Sequence, residues 1–401
     1  MSPGHSHHHH HTPTLGPDDD PAGVRALGRA LWTTVAVCAL GTVIALIALW
    51  PGGSAGFEDP LLLDADPFPA TVAVSDVVTC SYDPTAQCRL IAFENEGGPY
   101  AGEYGSMEHA LESALRPGDS IKLTAFEAID GRVEYSFYDY QRSTPMIWLV
   151  ALFVVAVLAL GRWRGLGALA GLAFSLLVIV MFTLPAVLDG SNAVAVALVT
   201  ASLIAFAALF LAHGFELATA IALLSTFASL ILTAVLAWVF VRATHLTGLT
   251  DDSSILLGGL TAGIDPRGIL LAGVVIGALG VLDDVTVTQV SAVWELKRVQ
   301  PELGMRELFT PALRIGRDHI SSTVNTLFLA YAGAALPLLL LFTEAGQNFS
   351  NVITREVVAI EVVRALVGSI GLVASVPIAT WLAALVATTN NGPSAAADRR
   401  P

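Results

Sequence analysis

Eight stretches of this chain are apolar enough, over enough residues, to be read as membrane spans: Leu31 to Trp50, Met146 to Leu160, Leu166 to Leu188, Val194 to Ala212, Leu217 to Val241, Ile269 to Val293, Ile320 to Phe342 and Ala365 to Ala387. A helix needs about 20 apolar residues to cross a hydrocarbon layer about 30 Å thick. Inside that layer its backbone groups must bond to one another, because no water is there to replace them. A run of such segments has no place in a soluble domain, so the expected fold is a polytopic α-helical membrane protein of about eight transmembrane helices. Composition agrees, since only 13% of the 401 residues are charged where a soluble domain carries about a quarter. The first stretch ends without a small-residue cleavage site, so it reads as an anchor helix rather than a removed signal peptide.

The charges that remain are segregated. Between Pro51 and Thr144 there are sixteen Asp/Glu against five Lys/Arg, which supplies most of the net charge of −14. Such a segment repels phosphate backbones, and nucleic acid is not an expected partner. Cytoplasmic loops hold an excess of Lys and Arg. With the N-terminus inside, Arg25, Arg29, Arg162, Arg164, Lys297, Arg298, Arg306, Arg314, Arg317, Arg399 and Arg400 fall on one side, eleven in all, against Arg242, Arg267, Arg355 and Arg364 on the short connections of the other. Both termini are therefore expected in the cytoplasm. The expected order is a disordered His-rich tail over 1–30, an anchor helix over 31–50, an extracytoplasmic β-rich domain over 51–144, a seven-helix bundle over 145–388 and a cytoplasmic tail over 389–401. The bilayer is the first partner implied; a transported substrate is the second, unidentified, with oligomer formation left open.

Within the acidic region, Ala70 to Thr79, Arg89 to Glu94, Asp119 to Glu127 and Arg132 to Tyr140 alternate as strands do, and Gly, Pro and Asn clusters separate them. Ser106 to Leu115 reads as one short helix. The pattern suits a small β-barrel of the OB type. Cys80 and Cys88 bracket a turn, and outside the cell a disulfide between them is chemically permitted. In the N-terminal tail, His5, His7, His8, His9, His10 and His11 form an imidazole cluster able to bind Zn, Ni or Cu. A purification tag has the same appearance.

The most informative segment is Gly280-Val281-Leu282-Asp283-Asp284-Val285-Thr286-Val287-Thr288-Gln289. An isolated carboxylate in the middle of an apolar helix costs several kcal/mol unless paired, hydrated or protonated, and such residues usually face the bundle interior. Gly273, Gly277, Gly280, Asp284, Thr288 and Ser291 fall on one stripe at steps of three or four. Small residues there admit a neighbouring helix and leave room for water or an ion. Two adjacent acids in low dielectric titrate as a coupled pair, which is the equipment of a proton relay. The competing reading is that the acids only lock helix packing through buried hydrogen bonds.

A second polar cluster follows, Arg317-Asp318-His319-Ile320-Ser321-Ser322-Thr323-Val324-Asn325-Thr326. Ser322, Thr323 and Asn325 are candidate partners for Asp284, and His319 is a candidate relay member or an interfacial residue at the cytoplasmic end of its span. Pro185, Pro337 and Pro377 lie in or near apolar spans, where kinks are tolerated. Asp251 to Gly268 reads as a Gly-rich outside loop, and Arg355 to Arg364 as an interfacial helix leading into the last span. No nucleophile elbow, Walker loop, zincin helix or dinucleotide fingerprint appears, so neither an enzyme nor a bound cofactor is expected.

The blocks Gly280 to Gln289 and Gly316 to Leu327, with the anchor helix, the outside domain and the seven-helix order, resemble the YibE/F family of bacterial multi-pass membrane proteins. That resemblance implies a bacterial plasma membrane location. A weaker local similarity joins the two motif helices and their link to the membrane helices of resistance-nodulation-division transporters and Sec accessory proteins, whose intramembrane Asp residues carry protons; the helix count after the outside domain, seven instead of five, departs from them. The leading expectation is a transporter or export factor coupled to protons or a small cation through Asp283 and Asp284. The alternative is a non-enzymatic envelope sensing or assembly protein whose outer domain binds a partner. An intramembrane aspartyl protease would want its two acids on different helices, and here they are adjacent.

Overall fold

The structure is a computed structural model that describes residues 22–52, 66–112, 114–128, 131–250, 264–344, 346 and 348–389. The histidine run and residues 251–263 of the Gly-rich loop lie outside the described residues. The chain divides into two compact units, Gly56–Arg162 and Met1–Ala55 with Trp163–Pro401.

The smaller unit holds five strands among the described residues: β1 (Phe68–Thr79), β2 (Gln87–Asn95), β3 (Tyr104–Ala110), β4 (Ser120–Glu127) and β5 (Val133–Tyr140). They form one antiparallel sheet in the order β3-β2-β1-β4-β5. Phe68, Ala70 and Val72, Ile91 and Phe93, and Ile121 and Leu123 are buried on one face, as a two-residue period requires. Tyr135 closes the core edge-on against Phe93, with ring centroids 5.1 Å apart. A bulge between Val72 and Val74 bends β1, so that only Phe68–Thr71 pairs with β4. The Cys80–Cys88 disulfide closes the turn between β1 and β2. Within that turn Asp83 Oδ1 accepts from the Thr85 hydroxyl at 2.7 Å and from its N–H at 2.8 Å. These bonds hold the Asp83 carboxyl below the ordinary aspartate range, so the help they give the turn is lost as pH falls through that lowered value.

The helix expected over Ser106 to Leu115 is not formed. Residues 104–110 are a strand, paired with β2 from Glu94↔Tyr104 to Cys88↔Ala110. Met, Glu and Ala favour a helix locally, but Met107 supplies an inward side chain at strand spacing, and the open edge of β2 offers a full ladder of hydrogen bonds. Packing and pairing outweigh a propensity worth a few tenths of a kcal/mol per residue.

The larger unit is helical. Its elements are α1 (Ala22–Ala48), α2 (Ser143–Val178, whose first part belongs to the smaller unit), α3 (Leu184–Leu188), α4 (Ala193–His213), α5 (Leu217–Ala243), α6 (Pro266–Val299), α7 (Met305–Ala334), α8 (Leu336–Glu344), α9 (Phe349–Ile353) and α10 (Glu356–Thr389). Among the described residues seven helices are long and apolar enough to cross a membrane, or eight if the bent pair α7 and α8 is one span. Arg162, at φ 49 and ψ −126, breaks α2 between the two stretches read as separate spans. A π-turn, Ile179–Thr183, separates α2 from α3 just ahead of Pro185, which has no N–H to give an ordinary turn.

Two expectations change. The single span over Ile320 to Phe342 is bent by 58° between α7 and α8, where Pro337 removes a donor and crowds the carbonyl four residues back. The interfacial helix expected over Arg355 to Arg364 is continuous with the last span, since Glu356–Thr389 is one helix of 34 residues. At 1.5 Å per residue that is roughly 51 Å, longer than the hydrocarbon layer.

The centre of the unit is α5, α6 and α10 packed against each other. Small side chains make the approach close. A Cβ on Gly371 of α10 would lie 2.0 Å from Thr233 Oγ1 of α5, and one on Gly316 of α7 would lie 2.5 Å from Val376 Cγ1 and 2.6 Å from Gln289 Oε1. Interfaces of this kind gain their stability from dispersion across closely approaching backbones. Gly371→Ala is therefore expected to destabilise the purified protein in detergent by about 1–3 kcal/mol, read as a lower thermal unfolding midpoint, and Thr233→Ala in the same chain to recover part of the loss.

Candidate functional site

α6 begins at Pro266, capped by Asp265, whose carboxylate accepts from the Arg267 N–H at 3.1 Å. It carries Asp283 as the eighteenth of its 34 residues. Neighbours on a helix point about 100° apart, and the two acids part company accordingly. Asp283 turns towards α5 and is partly buried, with its Oδ1 enclosed, while Asp284 is exposed on the surface of the unit.

Beside the Asp283 carboxyl stands Thr226 of α5. The Thr226 and Thr286 hydroxyls are 2.7 Å apart, and Thr286 donates to the Asp283 carbonyl at 3.1 Å. Asp283 Oδ1 is buried and has no hydrogen-bond partner among the described residues. An orphaned buried acceptor carries its full desolvation penalty, about 1–3 kcal/mol and more when charged.

The stripe Gly273, Gly277, Gly280, Asp284, Thr288 and Ser291 is the open side of α6. Leu271, Val275, Leu282, Val285 and Val293 bury the other side instead, because branched side chains gain more contact there than glycines do. What remains along the glycines is a lane. Nothing stands within 4 Å of a Cβ placed on Gly280; on Gly277 it would meet only the Tyr331 hydroxyl, at 3.5 Å, and on Gly273 only Arg364 Nη2, at 4.0 Å.

α7 packs through Leu308, Ala312 and Gly316, followed by Ile320 and Val324 against Val285, Leu372 and Val376. Gln289 fastens this contact: its Nε2 donates to the Ala312 carbonyl and to Thr380 Oγ1 of α10, each at 2.7 Å. With Gly277 against Tyr331 at one end and Gln289 against Ala312 at the other, the antiparallel helices bring the aspartates level with residues 320–324. Ser322 and Asn325 are exposed. Thr323 spends its hydroxyl on the His319 carbonyl at 3.0 Å, and Thr326 on that of Ser322 at 3.0 Å. Among the described residues no hydrogen bond joins Ser322, Thr323 or Asn325 to either aspartate, so the expected pairing is not made. His319 lies within α7 rather than at its end, with Nε2 buried and unpartnered.

The residues that do meet Asp283, Thr226 and Thr286, were not singled out from the sequence. A signal was there. Thr219, Thr226 and Thr233 recur every seventh residue of α5, and all three are buried. Among the described residues no group of three or more His, Cys, Asp and Glu is placed to hold a metal ion.

A family model described as YibE/F-like protein matches residues 149–389, well over half of the chain. The chain belongs to the YibE/F-like family. The YibE/F-like match takes in α2 from residue 149 onward and all of α3 to α10, and with them every residue of the Asp283 site; α1 and the five-stranded sheet fall outside it. No curated protein and no solved structure matched the chain.

Gln289 and Asp283 differ in kind, one with its bonds made and one without. Gln289→Ala is expected to cost about 1–3 kcal/mol of stability, read by thermal unfolding in detergent. Asp283→Asn should leave the midpoint unchanged or raise it, since a neutral amide is cheaper to bury than a carboxylate.

Proposed function

We propose that this YibE/F-like chain is a transporter or export factor of the bacterial cell membrane, coupled to a proton or small cation that Asp283 takes up and releases. One observation carries the reading: Oδ1 of the Asp283 carboxyl, in the middle of a long apolar helix, is buried with no partner, while Thr226 of α5 stands beside the group. A residue kept only for packing would have its bonds closed, as those of the Gln289 amide nitrogen are. A proton or cation supplies the missing partner, and its departure restores a penalty of several kcal/mol. That difference is of the size needed to bias two conformations of a bundle. Asp284, one residue on, opens to the glycine lane and gives the site a polar route outward. His319, Ser322, Thr323 and Asn325 stand at the same level on α7.

The reading is tested by reconstituting the full chain in liposomes and following proton or cation flux. Asp283→Asn is expected to abolish coupled flux while the protein stays folded, and Asp284→Asn to slow it. Unchanged coupling in both variants would sink the proposal.

Eight crossings, with α7 and α8 as one broken span, return the chain to its starting side, and the eleven basic residues of the expected cytoplasmic loops favour that side as the interior. Single cysteines near Lys297 and at the C-terminus should then resist an impermeant thiol reagent added to whole cells, while one near Glu127 reacts. Labelling of the first two would reverse the topology.

The outer unit is read as an OB-type barrel. Its sheet order leaves β3 and β5 at the two edges, and the edge-on contact of His109 of β3 with Phe137 of β5 at 5.6 Å supports the reading. A second reading, an envelope sensing or assembly protein, draws on this unit: Val74, Val77 and Phe126 stand exposed on it. Deleting 51–144 separates the two, because a transporter keeps basal flux and a sensor loses its response.

A further inference from the structure

An open volume adjoins α6 at the end of the glycine lane nearer Pro266. It measures about 630 Å³ and lies among the first half of α6, the α7–α8 bend and the first turns of α10. Its walls are mostly apolar, Leu270, Leu338 and Ile360 among them; Thr250 stands at one edge, and the larger polar side chains are Tyr331, Glu361 and Arg364.

Arg364 lies two turns inside α10, a helix long and apolar enough to cross a membrane. An ionisable side chain in such a place is costly and is retained with a partner or a task. Its guanidinium has five N–H donors in a planar fork. Nη1 donates to Glu361 Oε1 at 2.8 Å, so the counter-charge is held at one corner. Nε is buried and has no partner among the described residues, and Nη2 reaches over Gly273, whose missing side chain leaves it room. The edge formed by Nε and Nη2 is the one that takes an oxyanion with two parallel hydrogen bonds. The Tyr331 hydroxyl lines the same cavity and stands over Gly277, one turn along α6 from Gly273 and Arg364, where it adds a donor.

We propose that this cavity binds an anionic amphiphile, its phosphate oxygens on the Nε–Nη2 edge of Arg364 and on Tyr331, and its apolar part along Leu338 and Ile360. The oxyanion comes either from a membrane lipid headgroup or from a free phosphate compound. The site does not depend on Asp283 carrying protons, and binding is measured without transport.

The test is isothermal titration of the full-length protein in a neutral detergent with short-chain phosphatidylglycerol, short-chain phosphatidylcholine and inorganic phosphate. Saturable binding of phosphatidylglycerol, at least tenfold tighter than phosphatidylcholine, assigns the site to an anionic lipid; saturation by phosphate alone assigns it to a free oxyanion. Either affinity should fall at least tenfold in Arg364→Gln and a few-fold in Tyr331→Phe. Arg364→Lys, which keeps the charge but loses the fork, should fall between wild type and Arg364→Gln, and it carries the test with Tyr331→Phe where Arg364→Gln fails to fold. Equal affinity for the two lipids with no phosphate binding, or affinities within twofold of wild type in the variants that fold, overturns the proposal.

Discussion

The close approach of α5, α6 and α10 is the constraint from which the rest of the helical unit follows. It exists because glycine, alanine, serine and threonine occupy the facing surfaces: Gly371 against Thr233, Thr226 against Thr286, Thr380 against Gln289. Backbones this near leave no space for water, so each hydroxyl must find an acceptor inside the protein. Ser225, Ser229 and Thr233 donate to carbonyls one turn back on their own helix. The interface is polar in composition, with its hydroxyls spent on acceptors within the protein. Against that background a carboxyl oxygen without a partner is conspicuous, and the meaning given to Asp283 rests on the contrast.

The close packing also explains why the two faces of α6 differ so sharply. Its apolar side is committed to neighbours, and the glycine side, which a helix-packing rule would send inwards, is left open to Tyr331 and Arg364. In lipid an open glycine lane with an aspartate on it is not a stable surface for acyl chains. Water, a ligand or another polypeptide is the environment that suits it.

Much of this architecture is visible in the residues, and where it is not the reasons are physical. The long helices declare themselves because twenty apolar residues in a row have few alternative uses. The strands on either side of Cys80 and Cys88 show a two-residue period, which register with the core enforces. Strand β3 was hidden, since Tyr104–Ala110 has helix-favouring residues and owes its form to an edge supplied by β2. Asp283 and Asp284 stand out as acids in an apolar run, yet no periodicity tells which of two polar-compatible faces goes inside; that depends on the shapes of Thr226 and Thr233, one helix away. The α7–α8 bend was half visible: Pro337 marks the place but not the angle, which neighbouring helices decide.

The wide turn at Ile179–Thr183 carries a consequence for how this part of the chain is compared with its relatives. One residue more than an ordinary turn rotates everything after it by about 100°. That rotation is what places Ala186 in contact with Phe182, Val196 and Val199, fully enclosed, and lets Thr183 meet Thr200 at 2.7 Å. A relative one residue shorter here would keep the same letters beyond the gap and yet present a different flank of α3, so matched sequence on either side of this turn is no guarantee of matched neighbours.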